Sequence, residues 1–564
     1  MKIFKLTFLF LTFTIALNAQ TIESDIKAAN NFDTTGFDFQ TTEGIFKPTI
    51  QSFANNYSCP EWFRDAKFGI YMHWGLNTIS GYDGHYARFL YHQHEPAVAK
   101  VDRETKRPAM SGFRQGREDV YEYHVKTFGH PTKFGYKEFI PMWKADKFDA
   151  NALAAFYKEC GAKYIGVMAV HHDNFDLYNS TYQSWNSYRM GPKIDIVGAW
   201  QKACAKEKLR FAITSHLSNG YHEHLFYQGE ADSTGPLAGV PYDTMDPKND
   251  GLYGKRTPDR LRRLNPEFAQ NWYRRTKELI DKYNPDLLYL DGGLPNGDYG
   301  LNLAAHFYNH NIKTHGKLDG VFATKDKSLA GFTFDVELAG INEIQKNPWQ
   351  VDNSLNPGWF YLGSQMAGGT TKSKGTDDAG MTADVKAKND ADAVRLNAGQ
   401  IIDNLVDIVS KNGNMMLNVG LRPDGSLPET FKHELMGVGK WLKMNGKAIY
   451  CSRPYKVFGE GPFQIPKTGV FNDNQYHYSA EDIRFTQSKD GKTLYVILLE
   501  WPGNGSKITI KSLGSKNLTS FKAISMLATG EQLKWNQDVE GLHVIMLRKS
   551  IGDYAYVLKI SDLK

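Results

Sequence analysis

The sequence predicts an α/β chain in which a (β/α)8-type TIM barrel is followed by a C-terminal antiparallel β-sandwich. Three observations lead there. Between Pro60 and about Tyr450, apolar strand-like runs alternate with amphipathic helical stretches, as βαβ units on a parallel sheet require. The length of that region favours a barrel with insertions over a doubly wound sheet. After about Pro454 the texture changes to short alternating runs separated by Gly, Asn and Asp. With 564 residues the chain exceeds the roughly 250–300 that one core serves, so more than one domain is expected. A hydrophobic share of 41% and a charged share of 23% exclude a disordered or fibrous protein.

The elements follow in order. Lys2 and Lys5 precede an apolar run over 6–17, and Asn18-Ala19-Gln20 supplies a small residue for cleavage. This is the pattern of a secretory signal over 1–19, too short to span a bilayer, with cleavage expected near Ala19 and export to the periplasm or beyond. Residues 20–58 form a polar lead-in, a linker or surface wrap. The barrel is placed at 59–452, with strand-like runs at 69–72, 164–170, 209–214, 287–290, 332–336 and 415–419 and amphipathic segments at 150–160 and 268–283. Polar or Gly-, Thr- and Lys-rich insertions occupy 95–116 and 368–386. The sandwich is placed at 453–564, with runs at 493–498, 507–510 and 543–547 and a hairpin signal at Asp490-Gly491. Its expected role is to brace the barrel or help hold a glycan.

Bulk properties remove several function classes. The net charge is +5, without a basic cluster, so nucleic acid is not an expected partner. No segment after the signal is apolar enough to insert in a membrane. Cys59, Cys160, Cys204 and Cys451 lie far apart, matching neither a disulfide framework nor zinc spacing, and are expected to be mostly buried thiols. Aromatic residues make up 13%, which hints at sugar contacts, although aromatics mostly fill cores.

The chemistry sits at strand ends. His73-Trp74-Gly75, His171-His172-Asp173, Ser215-His216, Asp291-Gly292-Gly293 and Glu337 each follow an apolar run, at the face where barrels place their active sites. Asp291 emerges directly after Leu287-Leu288-Tyr289-Leu290; the bland alternative is a helix cap. Two carboxylates from different strands suit glycoside hydrolysis, one at the anomeric carbon and one protonating the leaving oxygen. A competing arrangement has His73, His171, His172 and His216 with Asp291 holding a metal. Neighbouring side chains on a strand point to opposite faces, however, so His171 and His172 are not expected to share an ion, and no H-x-H or H-E-x-x-H spacing occurs in these clusters. With Trp74 and Tyr289 as stacking surfaces, the set favours a sugar pocket, with no metal and no cofactor.

At these residues the sequence resembles the retaining α-L-fucosidases of glycoside hydrolase family 29. The resemblance is carried by Trp62-Phe63-Arg64-Asp65-Ala66-Lys67-Phe68-Gly69, His73-Trp74-Gly75, Gly129-His130-Pro131-Thr132-Lys133-Phe134-Gly135-Tyr136, His171-His172-Asp173-Asn174-Phe175-Asp176, Gly191-Pro192-Lys193-Ile194-Asp195, Leu288-Tyr289-Leu290-Asp291-Gly292-Gly293 and Asn412-Gly413-Asn414-Met415-Met416-Leu417-Asn418-Val419. It implies removal of terminal α-L-fucosyl residues with retention. Asp291 takes the position of the family's nucleophile, and His73, His171, His172 and Tyr289 those of residues lining the fucose pocket.

Three departures stand out. Gly84-His85 occupies positions where many members carry an acid and a Trp before Tyr86-Ala87-Arg88; Ser215 stands where several have Glu; and Trp349-Gln350 replaces a Trp-Glu pair. Gln cannot donate and regain a proton, so Glu337 becomes the acid/base candidate, with Glu343 in reserve. Substrate contacts are expected from His73, Trp74, His85, Tyr86, His171, His172, His216, Tyr289, Trp349 and Gln350. The expected partner is a fucosylated or fucose-like oligosaccharide or polysaccharide; an oligomer is left open. The departures also admit a sulfated or galactose-configured algal residue, or a non-catalytic glycan-binding homologue.

Overall fold

The computed structural model describes residues 32–91, 118–217, 231–254, 266–295, 297–363, 392, 394–465, 476–518 and 520–563. The expected signal at 1–19 and the insertions at 95–116 and 368–386 lie outside them. Eight parallel strands form one sheet in the order β6-β5-β4-β3-β2-β1-β8-β7. They are β1 (Phe68–Met72), β2 (Tyr164–Val170), β3 (Arg210–Ser215), β4 (Leu287–Leu290), β5 (Val321–Thr324), β6 (Thr333–Phe334), β7 (Trp349–Ser354) and β8 (Gly413–Asn418). An Asp335–Gln350 bridge and the bonds Val336 N–H to Gln350 O (2.9 Å) and Leu338 N–H to Asp352 O (3.0 Å) close β6 onto β7. The TIM-type barrel and the C-terminal antiparallel sheets are as the sequence predicts.

Every residue of β1, β2 and β4 is buried, because helices cover one face and the barrel interior the other, and so these strands read as unbroken apolar runs. The sequence does not reveal β5 and β7. The first, Val321-Phe322-Ala323-Thr324, lacks the run of large apolar residues that marks β4, and the second carries Gln350, Asp352, Asn353 and Ser354, all buried in place of an apolar pattern.

The helices Ala150–Glu159 and Ile196–Glu207 start on Asp149 and Asp195, whose carboxylates accept from backbone N–H groups of the first turn. Among the described residues no helix joins β5 to β6 or β6 to β7. The N-terminal helix Ile50–Asn56 covers that gap. Phe53 packs on Phe332 (ring centroids 5.3 Å) and the Tyr57 hydroxyl pairs with Thr333 Oγ1 (3.2 Å). Gly331 permits this approach: its φ is +89°, and a Cβ there would stand 2.5 Å from Phe53 Cβ. Upstream, the N–H groups of Thr42 and Phe46 bond His306 Nδ1 and Asn309 Oδ1, both at 3.0 Å.

The C-terminal part consists of a five-stranded sheet facing a three-stranded one, around Phe485, Val496, Leu498, Leu542, Val544 and Leu558. It grips the outside of the barrel. Asp407, on the helix Ala398–Ser410, accepts from Lys411 Nζ (2.7 Å) and from Arg484 Nε of the sandwich (2.7 Å), all three buried. Trp441 Nε1 donates to Ala555 O (2.6 Å). The four cysteines are unbridged; Cys160 and Cys204 are buried, whereas Cys59 is half-buried and Cys451 exposed, so the thiols are less uniformly buried than expected.

Candidate active site

The C-terminal ends of the strands bring most of the expected polar residues together, and strand alternation decides which ones. After β1, His73 turns inward and Trp74 outward. Trp74 packs against Trp143 (5.1 Å) and Phe148 (4.8 Å) and donates Nε1–H to Arg422 O (2.9 Å). It is core packing, not the sugar platform expected from sequence. Tyr86 is likewise fully buried, its hydroxyl on His124 Nδ1 (2.9 Å). Trp349 faces the outer layer, with Nε1–H on Lys411 O (2.9 Å). None of these three side chains reaches the pocket.

The histidines do converge. His73 Nε2 lies 3.1 Å from His216 Nε2, and the His171 ring lies 5.0 Å from that of His216. His171 and His172 sit side by side (4.4 Å) instead of pointing apart, because β2 ends at Val170 and residue 172 already lies in a turn. The alternation argument against their sharing a site therefore fails. His85 stacks on His172 (5.5 Å, 19°).

Asp291 follows β4 and Glu337 follows the end of β6, as expected; the group that joins them was not foreseen. Lys325, the first residue after β5, places Nζ 2.5 Å from Asp291 Oδ1 and also on Glu337 Oε2. Two oxygens sharing one Nζ stand within about 5–6 Å of each other, two hydrogen-bond lengths. His172 Nε2 is 3.7 Å from Asp291 Oδ2. Glu343 is an exposed residue that accepts from Gln345 Nε2.

Beneath this layer lies a second buried acidic group. The Tyr289 hydroxyl sits between Asp335 Oδ1 (3.3 Å) and Asp352 Oδ2 (3.2 Å), and Gln350 Nε2 donates to Asp335 Oδ2 (2.7 Å). Tyr289 and Gln350, both fully buried, belong to this floor and not to the open pocket. Above it, Trp359 and Phe360 supply the aromatic wall, 5.2 Å and 5.5 Å from the His73 ring; Phe360 is also 4.8 Å from that of His171. Asn418, at the end of β8, fixes His73 by accepting from its backbone N–H (2.9 Å) and from Nδ1 (3.1 Å). Lys325 and Asn418 obey the same rule as the other site residues, a polar side chain just after or ending a strand. Trp359 and Phe360 lie in irregular chain and had no such signal.

Comparison with known proteins agrees with this geometry. The alpha-L-fucosidase family model matches residues 37–375 and 385–447, and its C-terminal domain model matches 475–561. The chain belongs to glycoside hydrolase family 29, the alpha-L-fucosidases. It is 25% identical to the tissue alpha-L-fucosidase of Rattus norvegicus over 89% of this chain and 90% of that one. The human tissue enzyme is 24% identical, over 90% of each. Among solved structures, Thermotoga maritima alpha-fucosidase in complex with fucose superposes with a TM-score of 0.62 at 25% identity, covering 91% of this chain and all of that one. The same enzyme with a mechanism-based inhibitor gives 0.63 at 25% identity, over 92% of this chain and all of that one.

The electrostatics of this family member separate its two carboxyls. Burial alone would raise both. One lysine can neutralise only one of them, and Asp291 is the one it favours: the Lys325 charge is the largest influence opposing burial there, and Asp291 is held well below the usual carboxylate range. Glu337 is pushed up to about 8 by burial, with Asp352 and Asp291 adding to the shift against Lys325. Lys325 stays charged, because its two carboxyl partners outweigh its burial. Burial also keeps the histidines neutral, lowering His73 to about 4 and His171 and His216 well below their usual range. Below them, burial raises Asp335 to about 6 and Asp352 well above its usual range, each carboxyl disfavouring charge in so dry a setting. The site offers an ionised carboxylate, a carboxylic acid and a wall of neutral hydrogen-bonding rings.

Proposed function

We propose that the protein is a retaining exo-α-L-fucosidase that works through a covalent glycosyl-enzyme. The observation that carries this is the shared contact of Asp291 and Glu337 with Lys325 Nζ. A shared Nζ keeps the nearest oxygens of the two carboxyls within about two hydrogen-bond lengths, which supports the short spacing of about 5–5.5 Å used in double displacement over the roughly 6.5–9.5 Å that leaves room for water in an inverting site. Asp291, ionised, attacks the anomeric carbon while the Glu337 carboxylic acid protonates the departing oxygen. Glu337, now a carboxylate, takes a proton from water, which attacks the same carbon and frees Asp291, so the configuration is retained. Lys325 holds the charge on Asp291 before attack. The neutral histidines bind sugar hydroxyls, and Trp359 with Phe360 covers the apolar side of the ring.

The natural substrate is a fucosylated or closely fucose-like oligosaccharide or polysaccharide, reached after export directed by residues 1–19. A galactose-configured or sulfated sugar is the second reading, supported by one wall of the pocket. At Gly84 a Cβ would stand only 3.3 Å from Phe360 Cδ2, so the acid many relatives carry there has little room, and His85 replaces the neighbouring Trp.

The test is a panel of aryl α-L-fucosides, β-D-galactosides and sulfated oligosaccharides, with NMR of the first-formed anomer. Release of α-L-fucose as the initial product supports the proposal; β-L-fucose overturns retention. Asp291→Asn should lower turnover about 10⁴-fold or more. Glu337→Gln should cost about 10²–10⁴-fold on natural glycans and much less on an activated aryl fucoside, with azide restoring speed. No release from any member of the panel would overturn the proposal.

A further inference from the structure

Three histidines at the bottom of the pocket have a geometry that sugar binding alone does not demand. His73, His171 and His216 are 2%, 3% and 5% exposed, and one ring nitrogen from each lies within 4.8 Å of the others. Asn418 Oδ1 accepts both the backbone N–H and the Nδ1–H of His73, so the proton of that ring is on Nδ1 and the lone pair of Nε2 points into the cluster. A carbonyl on the far nitrogen is how proteins orient a histidine toward a metal. His73 Nε2 then accepts from His216 Nε2–H across 3.1 Å, close to the roughly 3.3–3.4 Å between two nitrogens bound tetrahedrally to one zinc. The Nδ1 atoms of His171 and His216 are buried without a hydrogen-bond partner among the described residues, leaving His216 free to shift its proton from Nε2 to Nδ1.

We propose that His73, His171 and His216 form a binding site for a divalent transition metal of the zinc, cobalt or nickel class, which occupies the sugar pocket and blocks it. The three neutral nitrogens serve as ligands and leave a position for water, and a small rotation of His171 closes the triangle. His216 moves its proton to Nδ1 as Nε2 takes the metal, so no proton is released from that ring. Among the described residues, the separate cluster of Asp281, His306 and His310 is unsuited to the same use. His306 Nδ1 already accepts from Thr42 N–H (3.0 Å), so Nε2 must carry the proton that it gives to Asp281 (2.9 Å). That contrast supplies an internal control.

The test is titration of the purified full chain with cobalt(II), read by the visible absorption of a four-coordinate ion, and with zinc by calorimetry. One ion per chain is expected. His73→Gln and His216→Gln should abolish the spectrum, Asn418→Ala should weaken binding about 10–100-fold, and His306→Gln should leave it unchanged. L-fucose should displace the ion; this last outcome rests on the proposed function, whereas ion binding does not, so failure of competition alone overturns only the pocket-blocking role. Absence of stoichiometric binding, or binding that survives both His→Gln variants, overturns the site. If those variants do not fold, anomalous diffraction at the zinc edge on the unaltered chain decides, with a peak anywhere but among the three rings refuting it.

Discussion

Replacing Lys325 by Met should move the pH profile of the reaction more than any other single change. The ammonium is in direct contact with both carboxyls, at 2.5 Å from Asp291 Oδ1, and is the main force opposing burial at Asp291. At an effective dielectric of about 20 and a charge separation of roughly 4 Å, the attraction is about 4 kcal/mol, equivalent to about 3 pKa units. Without it, burial dominates and Asp291 rises toward or above the ordinary carboxylate range. Because the proposed attack needs an ionised Asp291, the acidic limb of kcat/KM should shift upward by about 2–3 pH units. Below the shifted limb the variant should lose about tenfold per pH unit relative to the wild type, and raising the pH through the ordinary carboxylate range should recover that loss. The assay is kcat/KM for an aryl α-L-fucoside from pH 3 to 10, with Lys325→Arg as the charge-preserving control. An acidic limb unmoved in Lys325→Met, or moved equally in Lys325→Arg, would refute the assignment of charge.

Other parts of the structure make separate predictions. Glu337 is the acid of the proposed mechanism and its pKa is raised, so kcat/KM on natural glycans should fall as pH climbs through about 8; the Glu337→Gln profile on an activated fucoside should lack that limb. Trp74→Ala should lower stability by about 3–5 kcal/mol with KM of the folded enzyme unchanged, measured by denaturant unfolding and kinetics, whereas Trp359→Ala should raise KM at little cost in stability. Asp407→Ala strands Lys411 and Arg484 as buried unpaired charges and should cost about 3–5 kcal/mol, seen as a lower melting temperature with kcat/KM intact below it.

The barrel was legible because helices outside and packed side chains inside leave a parallel strand no wet face, which writes an apolar run into the sequence. Where the interior is polar the signal vanishes. Strand β7 holds Gln350 and Asp352 inward to build the acidic floor, and so reads as loop. The same geometry explains the successes and errors at the site. Asp291, Glu337 and His216 were found by the rule that a polar residue ending a buried strand opens onto the active face. Trp74 was misplaced because its neighbour His73 takes the inward position. His172 escaped alternation because the strand had already ended. Lys325 follows the rule but was overlooked with its four-residue strand β5, and Trp359 and Phe360 meet the histidines only through tertiary folding.

The central claim about the molecule is that Asp291 is the nucleophile, and a trapped intermediate tests this most directly. Incubation with a 2-deoxy-2-fluoro-α-L-fucosyl donor bearing an activated leaving group, followed by peptide mass spectrometry, should place one fluorofucosyl group per chain on Asp291, with none on Asp291→Asn. A label on another residue, or full turnover of α-L-fucosides with no label and inverted product, would contradict it.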